Sequence, residues 1–189
     1  MLPVWAWVLV ALVLAITVLA LLHYFANPNF IDVKGRAYLI TGGSSGIGKA
    51  VAKDILSKGG SVALVARKQA GLDEAQAELA GGDEGVRARI SLHAADIMDE
   101  EAVKAAVEGA ADAHGRLDGV VSSAGTSLPR LFEAISAEQW EWMLRLNVVG
   151  TRNVIAASLP HLKASDAGRI VMVSSSAGQV GVFGFTLYS

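Results

Sequence analysis

The stretch that most constrains this chain is Tyr38-Leu39-Ile40-Thr41-Gly42-Gly43-Ser44-Ser45-Gly46-Ile47-Gly48. Ala37 to Ile40 is an apolar run that reads as a buried strand, and a Gly/Ser turn follows it. Ile47, Val51, Ala52 and Ile55 then recur at helical spacing, so a helix is predicted to begin near Gly46. Glycines acquire a physical meaning in a strand–turn–helix context. The first lets the chain turn through dihedrals closed to other residues. The lack of side chains lets a phosphate approach the backbone, and Gly48 lets the helix pack closely on the strand. The free N–H groups and the positive end of the helix then face an anion. Two other readings fit the same residues. One is an ordinary strand-to-helix turn. The other takes Gly42-Gly43-Ser44-Ser45-Gly46 as a Gly-x-Ser-x-Gly nucleophile elbow, which needs an acid and then a histidine on a late loop. His93, His114 and His161 all fall at predicted strand or helix ends, which argues against the elbow.

Composition narrows the function classes. The net charge is −2, with no basic block and no aromatic-basic interleaving, so nucleic acid is not expected as a partner. The absence of cysteine excludes disulfides, thiolate metal sites and cysteine nucleophiles. The four histidines are scattered without metal-ligand spacing, so no metal site is expected.

Val4 to Phe25 is a nearly continuous apolar run without Asp, Glu, Lys or Arg. As a helix it would span on the order of 30 Å, the thickness of a bilayer's hydrocarbon core. Trp5 and Trp7 at one end and Tyr24 at the other suit the two interfacial belts. A cleaved signal peptide would want a basic start and a shorter apolar core. No Lys or Arg precedes this run, so a retained transmembrane anchor is predicted. Lys34 and Arg36 follow it, which puts the folded part on the cytosolic side. Asn27-Pro28-Asn29 reads as a breaker, so residues 1–30 are anchor and linker and residues 31–189 a folded domain.

Within that domain, the first helix runs to about Lys58 and stops at Gly59-Gly60. Ser61 to Ala66 is a second buried strand that ends in Arg67-Lys68. A helix from about Leu72 to Leu79, a polar Gly81–Gly85 loop and a third strand, Arg89 to Ala94, come next, with Asp96 just past the strand. Asp99 caps a helix that carries Glu100 and Glu101 in its first turn and ends at His114-Gly115. Leu117 to Ser122 is a fourth strand. Ser136 and Gln139 form a capping box, with Ile135 and Trp140 placed for a hydrophobic staple. That helix is predicted to be long and to end before or at Pro160. A fifth strand, Arg169 to Val173, leads into a Ser/Gly/aromatic loop. The alternation predicts an α/β fold, a Rossmann-type doubly wound parallel sheet.

The end of the second strand is where such a fold reads an adenine ribose. An acid there holds a 2′-hydroxyl, and a base there accepts a 2′-phosphate. Arg67 and Lys68 stand at that position and no acid does, so NADP is favoured over a pair of merely solvated cations. Asp96 is placed either to accept from an adenine amino group or to cap a turn.

Gly42-Gly43-Ser44-Ser45-Gly46-Ile47-Gly48, Ser122-Ser123-Ala124-Gly125, Asn147 in Leu-Asn-Val-Val-Gly, and Ser174-Ser175-Ser176-Ala177-Gly178 with Tyr188 resemble the short-chain dehydrogenase/reductases. The resemblance covers Lys34 onward. The residues from Gly168 to the end, with the N-terminal run, resemble the branch of that family that reduces 3-ketodihydrosphingosine, a long-chain lipid ketone, with NADPH at the endoplasmic reticulum membrane. The resemblance implies that Gly42, Ser44, Ser45, Gly46, Ile47 and Gly48 cradle the cofactor phosphates, that Arg67 and Lys68 hold the 2′-phosphate, and that Asp96 meets the adenine. It implies that Ser175, thirteen residues before Tyr188, polarises the ketone, with Ser174 as the neighbouring alternative. Tyr188 would donate the proton and Asn147 would bind a water in the proton relay. It also implies a homodimer face on the Asp99–His114 and Ala137–Leu159 helices. Anchored reductases of steroids or retinoids remain an alternative, as does a non-catalytic binding or dimerisation module.

The sequence departs from the family pattern in places. Ser122 replaces an asparagine, which is expected to loosen the turn after the fourth strand, and Gly71 replaces a lysine. The family's active-site lysine lies four residues after the tyrosine, whereas Ser189 follows Tyr188 and is the last residue given. The expectation is a fragment, or a truncated product lacking the later strands, and no measurable reductase activity from these residues alone.

Overall fold

The structure is a computed structural model that describes residues 3–26 and 32–189. It divides into two compact units, Met1–Asp32 and Val33–Ser189. The predicted breaker Asn27-Pro28-Asn29 lies outside the described residues.

The first unit is one helix, α1 (Val4–Ala26). Its stretch Trp5–His23 has a mean hydropathy of 2.7 and is long and apolar enough to cross a membrane. Trp5 and Trp7 are exposed; the Tyr24 side chain is outside the description. Thr17 Oγ1 donates to Val13 O at 2.8 Å, so its hydroxyl is satisfied within the helix, as an apolar surrounding demands.

The second unit carries β1 (Ala37–Thr41), α2 (Gly46–Ser57), β2 (Ser61–Ala66), α3 (Gln69–Ala80), α4 (Glu84–Arg87), β3 (Ile90–Ala94), α5 (Glu100–His114), β4 (Gly119–Ser122), α6 (Ala137–Leu144), α7 (Thr151–Ala164) and β5 (Arg169–Met172). The strands form one parallel sheet in the order β3-β2-β1-β4-β5. The connections from β1 to β3 run one way across the sheet. The α5 connection then crosses back and places β4 on the other side of β1. The order reverses between β1 and β4, and the carboxyl ends of those strands are where an open parallel sheet leaves a crevice.

Both faces of the sheet are covered over β1, β2 and β4, so these strands read as apolar runs and not as alternations, while β5 is exposed along its length. Tyr38 and Ile40 pack with Ala52, Ile55, Leu64 and Leu72 on the α2 and α3 face. Leu39 packs with Val65, Val103, Val107, Val120 and Val154 on the α5 and α7 face.

Three local expectations are corrected. The Gly81–Gly85 stretch contains the short helix α4, because Asp83 caps it by accepting from Gly85 N and Val86 N. The long helix through Asn147 is not uniform: a π-helical turn, Arg145–Gly150, joins α6 to α7. The helix also does not end at Pro160 but continues to Ala164. A proline removes one backbone donor. Here the carbonyl that loses it belongs to exposed Ala156, and buried Leu162 anchors the final turn.

At the amino ends of the strands Asp118 ties three of them together. Asp118 N donates to Ala37 O on β1, and Arg169 N at the start of β5 donates to Asp118 O. Its fully buried carboxylate accepts from Arg116 Nε and Nη2, both at 2.6 Å, from Ser165 Oγ at 2.6 Å and from Ala37 N at 3.0 Å. Burial pushes the carboxyl up, but the bonds from Arg116, Ser165 and Ala37 outweigh it and hold the group at about 2. A depressed carboxyl contributes stability above its unfolded value and loses it as pH falls toward the folded one. The unfolding free energy is therefore expected to fall by about 2 kcal/mol between pH 5 and pH 2 on account of this group. Asp118→Asn should cost roughly 3 kcal/mol at neutral pH and flatten that acid limb, as read by urea unfolding across pH.

Candidate active site

The glycine loop is built by contacts that exclude side chains. Gly42 has φ +69° and Gly46 φ +52°, both in the left-handed region. A Cβ on Gly48 would lie 2.5 Å from Gly42 O and 2.7 Å from Ser123 Oγ, so only glycine fits there. A Cβ on Gly46 would meet nothing within 4 Å, which leaves its outer side open for a ligand. Gly42 N donates to Val65 O at 2.9 Å, which fastens the loop to the end of β2. Ser45 is the N-cap of α2 and makes no side-chain cap bond, so its hydroxyl remains available. Ile47 is not part of the buried stripe of α2: it is exposed, and the core face is Gly48, Ala52, Ile55 and Leu56.

The turn after β4 is fastened to this loop by Thr41, the last residue of β1, which the sequence gives no role. Thr41 is fully buried, and its Oγ1 accepts from Ser123 N and Ala124 N, both at 3.2 Å. Ser123 Oγ returns a bond to Thr41 O at 2.6 Å. The turn expected to be loosened by Ser122 is thus tied, and Ser122 Oγ itself reaches Thr151 Oγ1 at 3.4 Å.

Asn147 sits in the π-helical turn and grips the next residues. Its Oδ1 accepts from Thr126 N at 3.1 Å and its Nδ2 donates to Thr126 O at 3.0 Å. Gly125 lies so close that a Cβ would be 2.9 Å from Asn147 Oδ1. Thr151 Oγ1 donates to Asn147 O at 2.8 Å. The side chain is therefore committed to backbone positioning.

Two cavities meet at Ala124, Gly125 and Thr126. One, of about 500 Å³, is lined by Gly42, Ser44, Ser45, Arg67, Lys68 and Asp96, among others. Arg67 and Lys68 are exposed, and among the described residues neither makes an ion pair. Asp96 Oδ1 accepts from Met98 N at 2.9 Å, so Asp96 both caps a turn and borders the cavity. Gly71 borders it too. The other cavity, of about 760 Å³, is lined by Ile47, Asn147, Ser174, Ser175 and Tyr188, among others. Ser175 Oγ accepts from Ala177 N at 3.2 Å, which orients the hydroxyl and leaves its proton free to donate. Ser174 is exposed. Tyr188 packs edge-on against Phe185, with centroids 6.2 Å apart, and Tyr188 N donates to Phe185 O at 2.7 Å.

Neither cavity is lined by a histidine. His93 and His114 share Ser91 Oγ at 2.9 and 3.0 Å, and burial lowers both. His161 faces Glu108 on the surface. The nucleophile-elbow reading of Ser44 has no base in either cavity. A further cavity of about 630 Å³ lies at the opposite end of the strands, beside the mutually paired Arg116, Asp118 and Asp166.

A family profile described as short chain dehydrogenase matches residues 36–189. The chain belongs to the short-chain dehydrogenase family. It is 36% identical over 166 residues to 3-dehydrosphinganine reductase of Danio rerio, covering 86% of this chain and 49% of that protein. It is 33% identical over 179 residues to 3-ketodihydrosphingosine reductase of Mus musculus, covering 94% and 54%. The chain spans about half the length of the curated relatives it matches. Among solved structures, a short-chain type dehydrogenase/reductase from Mycobacterium ulcerans superposes with a TM-score of 0.78 at 34% identity, covering 84% of this chain and 57% of that one. The family is one of oxidoreductases, and its fold implies a nicotinamide nucleotide as cofactor. The residues present fit such a group: Gly42, Ser44 and the α2 N-cap Ser45 share one cavity with Arg67 and Lys68, which make no ion pair among the described residues.

Thr41→Val keeps the volume but leaves two N–H groups unpaired where β4 meets the glycine loop. The expected cost is about 1–3 kcal/mol of stability together with weaker nucleotide binding, checked by thermal unfolding with and without nucleotide.

Proposed function

We propose that this domain binds NADPH and serves the reduction of 3-ketodihydrosphingosine to dihydrosphingosine. The observation that carries the reading is the meeting of two cavities at Gly125 and Thr126, one bordered by Arg67 and Lys68 and the other by Ser175 and Tyr188. The names of the relatives supply the substrate. NADPH, when bound, supplies the hydride. Gly42, Ser44, Ser45, Gly46, Ile47 and Gly48 hold its phosphates through backbone N–H groups and hydroxyls, Arg67 and Lys68 take the 2′-phosphate, and Asp96 borders the adenine. Ser175 donates to the ketone oxygen, which develops alkoxide charge, and Tyr188 gives that oxygen its proton. Asn147 fixes Thr126 and would bind a water in the proton relay.

The same reading makes α1 a single-pass anchor in the endoplasmic reticulum membrane, with residues 31–189 facing the cytosol. Lys34 and Arg36, which follow the apolar stretch, support that orientation. A homodimer through the outer faces of α5 and α7 completes it; sedimentation in detergent distinguishes one copy from two.

The substrate is tested on a form built to span the length of the relatives, with NADPH and a panel of 3-ketodihydrosphingosine, retinal and a ketosteroid, read by mass spectrometry. Dihydrosphingosine is the expected product. Reduced retinal or steroid without sphingoid base would replace this reading with that of an anchored retinoid or steroid reductase. Cofactor choice is tested separately by Arg67→Asp. Loss of a charge-assisted bond of about 1.5–3 kcal/mol should move the NADPH-to-NADH binding preference roughly ten- to a hundredfold toward NADH. An unchanged ratio would show that the 2′-phosphate is held elsewhere.

A further inference from the structure

Large apolar side chains stand out from the loops that follow β4 and β5. Leu131 and Phe132 belong to the first loop, and Val180, Val182 and Phe183 to the second; Phe183 is 90% exposed. The two loops are joined where Arg130 N donates to Gly184 O at 2.7 Å. Gly184, at φ +77°, supplies the left-handed turn right after Phe183. Both loops are without charge over long stretches. Gly119 to Pro129 and Ile170 to Ser189 contain no Asp, Glu, Lys, Arg or His. Only Arg130 and Glu133 flank the Leu131-Phe132 pair. The same loops supply Ser127, Gly178 and Tyr188 to the wall of the larger cavity.

We propose that the loop tips Leu131-Phe132 and Val180–Phe183 dip into a lipid bilayer surface, so that a long-chain ketone reaches Ser175 and Tyr188 without crossing bulk water. The proposal rests on the reading of α1 as a membrane anchor, which makes a bilayer the surface the folded unit meets. Uncharged loops suit that surface, since a charge carried into it would have to be desolvated. Their irregular backbone limits the depth to the hydrated headgroup and upper acyl region, because unpaired backbone groups do not enter the hydrocarbon core.

The chain has no cysteine, so single labels are unambiguous. Chains of residues 1–189 carrying Phe132→Cys, Phe183→Cys or Ala113→Cys are labelled with a nitroxide and reconstituted in phosphatidylcholine vesicles. Ala113 is exposed near the end of α5, away from these loops, and serves as the aqueous reference. Flotation with the vesicles tests the anchor by itself, and a chain that stays at the bottom of the gradient removes both readings. In floated samples, collisions with oxygen should exceed those with a soluble nickel chelate at positions 132 and 183, and the order should reverse at 113. Floated chains with the same aqueous ratio at all three positions overturn the proposal while leaving the anchor intact. Spin–spin broadening at 132 and 183 overturns it in favour of a second copy on this surface.

Discussion

The ligand end of the folded unit depends on one close approach at the start of α2. Gly48, in the first turn of α2, sits against Gly42 O and Ser123 Oγ with no room for a methyl group. This contact sets the distance between three segments: the end of β1, the start of α2 and the turn after β4. The glycine loop can face a ligand with bare N–H groups because α2 begins so close to the strand. The turn after β4 falls beside it because Ser123 reaches Thr41 O. Both cavities are bounded by these segments, so their walls inherit the spacing that Gly48 allows.

The sheet order explains why this happens at one end of the molecule. With β4 placed beyond β1 by the α5 crossover, the loops leaving β1 and β4 part in opposite directions and leave an opening. The other end of the sheet is closed by charge pairing. There Asp118 satisfies Arg116, Ser165 and the backbone of Ala37, and Arg36 and Asp166 join from the rim. The two ends use the same strands for different purposes. Paired charges hold the amino ends together, while the carboxyl ends carry Arg67 and Lys68, which make no ion pair among the described residues.

Much of this was legible in the sequence because the signals were local. The Ser61–Ala66 strand, the start of α2 at Gly46, the Asp99 cap and the Ser136–Gln139 capping box depend on near neighbours in the chain. What escaped depends on contacts across the fold. Thr41 falls just past the predicted Ala37–Ile40 strand and shows no role until the β4 turn is seen to need its oxygen. The π-helical turn at Arg145–Gly150 has no spacing signature, since the same residues would make an ordinary α-helix. Pro160 misled in the opposite way: a local rule for ending helices was overridden by the buried anchor of Leu162. Ile47 fitted the helical period but faces outward, where it borders the larger cavity instead of the core.

Asn147 shows what the tertiary structure adds to a motif. The resemblance gives this residue a part in proton transfer, and its side chain also accepts from Thr126 N and donates to Thr126 O. A residue that both donates to and accepts from one backbone position acts as a short piece of sheet, fixing that segment in distance and rotation. Gly125 and Thr126, the segment so fixed, form the wall common to both cavities. One cavity is bordered by Arg67 and Lys68, the other by Ser175 and Tyr188. Transfer between ligands in adjoining cavities is sensitive to small displacements. Any chemistry that crosses this wall therefore depends on a residue whose side chain supports it from behind.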